Sequence, residues 1–187
     1  MTDTIAIIGA GLAGIAAARS LRAAGRAVRL FDKGRAPGGR LATRRAEAEG
    51  HALQWDHGAQ YLRARGAPFA ALLAEAGAAP WPDAARHVGV PGMSALPRAL
   101  AAGLPITTGL AVTALEGGPG AWRLRHAGGL EGPFAAVLLT VPAPQALALL
   151  AGHWPRAAAA LPAIRIAPCW TLLAAFATPP ALPDTLR

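Results

Sequence analysis

Thr4-Ile5-Ala6-Ile7-Ile8-Gly9-Ala10-Gly11-Leu12-Ala13-Gly14, with an aspartate following at residue 32, is the stretch on which the reading of this chain turns. The apolar run Ile5 to Ile8 is nearly continuous and ends on glycine, the pattern of a parallel strand covered on both faces. Gly14, Ala17, Ala18 and Leu21 then recur at helical spacing, with Arg19, Arg22 and Arg26 toward solvent and Gly25 placed to stop the helix. Ala27-Val28-Arg29-Leu30-Phe31 supplies a second strand that ends at Asp32. Such a β-α-β crossover is right-handed in nearly every case, which makes the two strands a parallel pair.

Inside this unit the glycines fit G-x-G-x-x-G. Gly9 permits the tight turn, Gly11 lets the backbone approach a pyrophosphate, and Gly14 lets helix and strand pack closely. The helix N-terminus offers unpaired N–H groups to phosphates. Asp32 stands where a carboxylate can accept hydrogen bonds from both ribose hydroxyls, and its charge disfavours a phosphate on that ribose. With 22 glycines in the chain the glycine pattern alone is a weak signal. Strand, helix and acid together make it strong, without saying which dinucleotide is held.

Outward from the motif, 187 residues suffice for one ordinary domain or a compact two-lobed one, and 53% apolar with 15% charged residues excludes disorder throughout. One cysteine, Cys169, excludes a disulfide scaffold and a cysteine metal cluster. It reads as a small buried residue of a strand, in a chain suited to a reducing, cytoplasmic setting. Seventeen arginines and one lysine against 10 acids give +8. The arginines are dispersed and aromatics are only 5%, so nucleic acid is not the expected partner. The run Ile5–Ala18 lacks a preceding basic region, and Gly132–Pro155 is interrupted by prolines, so neither reads as a signal peptide or a membrane span. The five histidines, His57 among them, have no metal-ligand spacing and no positioned partner; no metal site and no catalytic residue is assigned.

Between Lys33 and Tyr61 no periodicity favours a long helix. Helices are expected at Pro68–Ala76 and Met93–Ala102, a hairpin at Thr113–Glu116 and Trp122–Arg125 around Gly117–Gly120, a buried strand at Phe134–Val141 and a short helix at Pro144–Leu150. Cys169–Phe176 reads as a further strand. With no partner strand in view beyond it, the sequence reads as truncated.

The fingerprint followed by Asp32-Lys33-Gly34-Arg35-Ala36-Pro37-Gly38-Gly39-Arg40 resembles the flavoprotein amine oxidase superfamily. Thr43-Arg44-Arg45, Asp56-His57-Gly58-Ala59-Gln60-Tyr61, Gly89 to Leu96 and Leu139 to Gln145 are similar to its renalase-like branch. The resemblance implies an α/β fold: a Rossmann-type FAD-binding domain in two parts, 1–62 and 105–152, an inserted helical substrate lobe at 63–104, and the start of a substrate-domain sheet at 153–187, incomplete here. It implies FAD, contacted by Gly9, Gly11, Ala13, Gly14, Asp32, Lys33, Gly39, Arg40, Ala59, Gln60 and Val112. For Arg40 physical reasoning agrees, since a fork-shaped donor beside two glycines can pair with phosphate oxygens. For Val112 and Thr140 packing is an equal alternative. The activity implied is oxidation of dihydronicotinamide dinucleotides, in particular aberrant NAD(P)H isomers, with molecular oxygen as acceptor and hydrogen peroxide as product. An amine oxidase or desaturase-like relative and a non-catalytic dinucleotide-binding fragment are the alternatives. The family's members are longer, and the C-terminal Gly-Asp segment has no counterpart here.

Overall fold

The computed structural model describes residues 3–178 and 181. In chain order its elements are β1 (Ile5–Ile8), α1 (Leu12–Ala23), β2 (Val28–Phe31), a 3-10 turn (Gly39–Leu41), β3 (Thr43–Ala48), β4 (His51–Asp56), α2 (Ala67–Glu75), β5 (Ala79–Pro80), β6 (His87–Val88) and α3 (Ala95–Leu100). There follow β7 (Ile106–Thr107), β8 (Ala114–Glu116), β9 (Trp122–His126), β10 (Gly129–Phe134), β11 (Ala136–Leu139), α4 (Ala143–Leu150), α5 (Pro155–Ala160) and a second 3-10 turn (Leu161–Ala163). They pack as two units, one of Met1–Gly39 with Leu100–Pro168, the other of Arg40–Ala99 with Cys169–Arg187.

The first unit is built on a four-stranded parallel sheet in the order β11-β1-β2-β7. β1 lies inside it, pairing Ile5–Ile8 with Ala136–Leu139 on one side and Val28–Phe31 on the other, which explains why its sequence is apolar at every position. Successive side chains point to opposite faces. Ile7 therefore joins Val28, Leu30 and Ala18 of α1 on one face. Ala6 and Ile8 join Phe31, Leu115, Leu124, Phe134 and Leu149 on the other, beneath α4 and the antiparallel sheet β10-β9-β8. Phe31 and Phe134 meet edge to face with ring centroids 5.6 Å apart.

The second unit contains the antiparallel hairpin β3–β4, registered from Thr43↔Asp56 to Ala48↔His51, and the pair β5–β6. Glu49 and Gly50 both have positive φ, which is the two-residue type I′ turn that fits the twist of a hairpin. Among its described residues, Leu41, Leu73, Met93 and Leu96 are buried.

The sequence expectations hold for the β-α-β unit, for α2 and α4, and for the hairpin, which a third strand extends. Three differ. The helix expected at Met93–Ala102 occupies only Ala95–Leu100. The single strand expected at Phe134–Val141 breaks at Ala135 into β10 and β11 of different sheets, and β11, at a sheet edge, leaves Leu138 37% exposed instead of buried. Cys169–Phe176 forms no strand, and Cys169 is exposed, because β-propensity yields a strand only where a partner supplies the ladder. In 153–187 the described residues hold α5 and a 3-10 turn but no strand. Pro179–Pro180 and residues 182–187, part of the expected unpaired end, lie outside the described residues. Among the described residues no helix is long and apolar enough to cross a membrane.

Candidate functional site

In the first unit the chain leaves β1 through Gly9, whose φ of 106° is open to glycine and strained for any other residue. Directly below, the Thr140 hydroxyl donates to the Ile8 and Gly9 carbonyls, at 3.0 Å each. A Cβ on Gly14 would overlap the Gly9 carbonyl oxygen and come within 2.8 Å of that same hydroxyl, so the third glycine is what lets α1 descend onto the turn. Gly11 is different. A Cβ there would meet nothing nearer than the Cα of Gly39, at 4.0 Å. Gly11 is also the N-cap of α1, with no side-chain cap and no acid in the first turn, so the amides of the opening turn remain available as donors. The loop after β2 folds back onto this turn: Gly38 donates its N–H to the Ala10 carbonyl at 2.9 Å, and Gly11 and Gly38 form a parallel bridge.

Asp32 stands at the end of β2, half-buried, with Oδ2 accepting the Ala10 N–H at 2.6 Å and Oδ1 the Gly34 N–H at 2.7 Å. The carboxylate thus has a role that its sequence position did not disclose: it ties the glycine turn to the loop that follows β2. Two oxygens carry about four acceptor sites, so a lone pair on each is left for a ribose hydroxyl. Ala13 and Lys33 are exposed beside this turn and loop, as is Gly39. Val112 is partly buried against the cluster containing Phe31 and Leu124, a packing role.

Arg40, Ala59 and Gln60 belong to the second unit, and there they come together. The Ala59 N–H donates to the Arg40 carbonyl at 2.8 Å, and a Cβ on Gly58 would overlap that carbonyl oxygen. Arg40 and Gln60 are exposed and Ala59 is half-buried. Three separated sequence motifs meet next to them. Asp56 Oδ1 accepts from the Thr43 hydroxyl at 2.6 Å and from the Met93 N–H at 3.0 Å, while the Ser94 N–H donates to Thr43 Oγ1 at 3.0 Å. Gln54 Nε2 donates to the Pro91 carbonyl. Thr43 and Asp56 thus knot the open end of the β3–β4 hairpin to the loop that leads into α3. No spacing in the sequence marks Asp56 as this organiser; the signal available was only that it is the one acid among the three runs that meet here. The His57 carbonyl accepts from Thr171 Oγ1 at 3.2 Å. Cys169 and Trp170 lie exposed beside it.

A glycine turn with an open face, an uncapped helix start and an acid closing the next strand define a dinucleotide-binding, Rossmann-like α/β fold. Comparison with known proteins agrees. Residues 7–76 match the family described as NAD(P)-binding Rossmann-like domain. Among solved structures, the chain is similar to a protein from Exiguobacterium sp. 255-15 assigned as a protoporphyrinogen oxidase, at 15% identity and a TM-score of 0.64, covering 83% of this chain and 63% of that one. A putrescine oxidase with putrescine bound gives 14% identity, a TM-score of 0.58 and coverage of 80% and 60%. A fatty acid isomerase from P. acnes that produces CLA gives 13%, 0.60, 77% and 60%. At these identities the likeness is one of fold. The chain spans roughly three-fifths of the length of each of the three.

Proposed function

We propose that this chain carries the FAD-binding part of a flavin-dependent oxidoreductase of renalase type, acting on dihydronicotinamide dinucleotides with oxygen as acceptor. The observation that carries the reading is the open face of Gly11 beside the uncapped start of α1, with Asp32 fixed across the turn. A pyrophosphate suits that face because backbone donors and the positive end of the helix converge there and no side chain fills it. Gly9, Gly11, Ala13 and Gly14 would hold the pyrophosphate and Asp32 the adenosine ribose, with Lys33 and Gly39 on the neighbouring loop and Val112 bordering the adenosine half. The resemblance adds Arg40, Ala59 and Gln60, which stand together in the second unit, as further candidate contacts.

Bound there, a flavin supplies a two-electron acceptor that oxygen can reoxidise. Over a turnover the dihydropyridine loses hydride to become an aromatic cation, and oxygen takes up two electrons and two protons to give hydrogen peroxide. Because no proton leaves carbon separately, the protein's task is to bind and orient the ring, and no acid–base pair is required of it. The putrescine oxidase likeness supports a second reading, oxidation of an amine.

Anaerobic mixing of the FAD-loaded protein with an NAD(P)H isomer tests the choice. Bleaching of the flavin absorbance, with colour and peroxide returning on admission of oxygen, is the expected result. Bleaching by primary amines and by no dihydronicotinamide would install the amine reading, and failure to take up FAD at all would remove both.

A further inference from the structure

Around Leu62 exposure alternates along the chain, with Tyr61, Arg63 and Arg65 exposed and Leu62 and Ala64 half-buried. That is the period of two of a strand with one wet face. Leu62 and His87 exchange backbone hydrogen bonds in both directions at 2.8 Å, an antiparallel bridge. The register of that bridge sets Arg63 opposite Arg86. Like charges at facing positions are unfavourable unless something offsets them. Two offsets are present. Asp83 pairs with Arg86 at 2.8 Å, and both guanidinium groups lie over the Tyr61 ring, Arg63 at 5.6 Å and Arg86 at 5.2 Å from its centroid. Among the described residues the ion pair of this cluster brings one acid, Asp83, to two guanidinium groups, which leaves the cluster net positive. Tyr61, over whose ring both arginines lie, also lines a groove of about 700 Å³ together with His57, Gln60 and the segment Cys169–Leu172, and the two arginines stand next to that lining, not in it.

We propose that Arg63 and Arg86 receive the pyrophosphate of a dinucleotide substrate, with Tyr61 as the wall that joins them to the groove. The assignment rests on the function proposed above and deepens it, naming the part of the substrate that is recognised and the residues that recognise it. Two forked donors gathered on one ring match an acceptor with several oxygens and more than one charge. The same pair repels an ammonium ion. The arginine pair beside Tyr61 therefore favours an anionic substrate over a cationic amine.

ADP-ribose, which carries the pyrophosphate but no redox ring, is the probe. Calorimetric titration of it into the FAD-loaded chain should show binding that Arg63→Ala weakens about ten- to a hundredfold, the range of a charged hydrogen-bonding group. Arg63→Lys should recover part of that loss, and FAD affinity should not move. Arg86→Ala should act in the same direction, but it also strands Asp83, so the exposed Arg63 is the decisive position. The titration is repeated in a Gly11→Val background, where a substituted glycine turn no longer offers phosphates a second seat. There the effect of Arg63→Ala reports on the clamp alone, whether or not the wild-type chain takes up flavin. Equal ADP-ribose affinity with and without Arg63, or no binding by the chain that has both arginines, overturns the proposal.

Discussion

In the first unit the candidate site is held by shape: β1 is buried on both faces, Gly14 meets a carbonyl where a methyl would sit, and α1 has no other way down onto the turn. In the second unit, position is held by a few polar bonds, with Asp56, Thr43 and the amides of Met93 and Ser94 closing a hairpin whose strands are largely exposed. Shape restraint spreads over many contacts and fails by steric conflict. Polar restraint concentrates in single atoms and fails when one acceptor is removed.

The largest effect should come from testing shape at two glycines of one motif. Gly14→Ala sets a methyl against backbone that cannot move without parting α1 from β1, a cost of about 3 kcal/mol. Thermal unfolding should shift down by about 6–12 °C. Gly11→Val should leave the melting temperature within about 2 °C, the range of an ordinary surface change, and abolish FAD binding in a fluorescence titration. If the two variants behave alike in both measurements, the division of labour between the glycines is wrong.

Next in size is Asp56→Ala, which strands the Thr43 hydroxyl and the Met93 amide together, a loss of about 1–3 kcal/mol. Asp56→Asn keeps an acceptor oxygen in place and should recover most of it. Chemical denaturation of the two variants decides the matter: equal losses would mean that the carboxylate's charge, not its hydrogen bonds, organises the knot.

This difference also explains what could be read from the sequence. The β-α-β unit was legible because burial on both faces writes a continuous apolar run, and the close approaches at Gly9 and Gly14 write glycine. Asp32 was legible as the acid that closes the second strand but not as the clip on the Ala10 amide, since hydrogen bonds to backbone leave no trace in residue identity. The β3–β4 hairpin was missed because its exposed strands show no alternation and its type I′ turn carries Glu49 in place of the usual Asn or Gly. Cys169–Phe176 misled in the opposite sense: Trp170, Leu172 and Phe176 have the composition of a strand, yet they are 98%, 90% and 67% exposed. Composition reports what a segment would bury, and only pairing decides whether it does.

The smallest effect belongs to the ion pair between Arg29 on β2 and Glu131 on β10, at 3.0 Å. It joins the parallel sheet to the antiparallel one within the first unit, so it offers a polar restraint inside a region assigned to shape. Both side chains are well hydrated, 41% and 30% exposed, so solvent screens the attraction and ordering two long side chains offsets part of it. Arg29 also lies over the Phe31 ring, 5.0 Å from its centroid, and that contact survives loss of the carboxylate. Glu131→Gln should therefore cost about 0.2–1 kcal/mol at low salt, and less at about 0.5 M salt, where the Debye length falls to about 4 Å. Melting curves at the two ionic strengths read this directly. A salt-independent loss as large as that of Asp56→Ala would mean that a single charge, not the Phe31–Phe134 cluster, holds the two sheets together, and the contrast between the units would collapse.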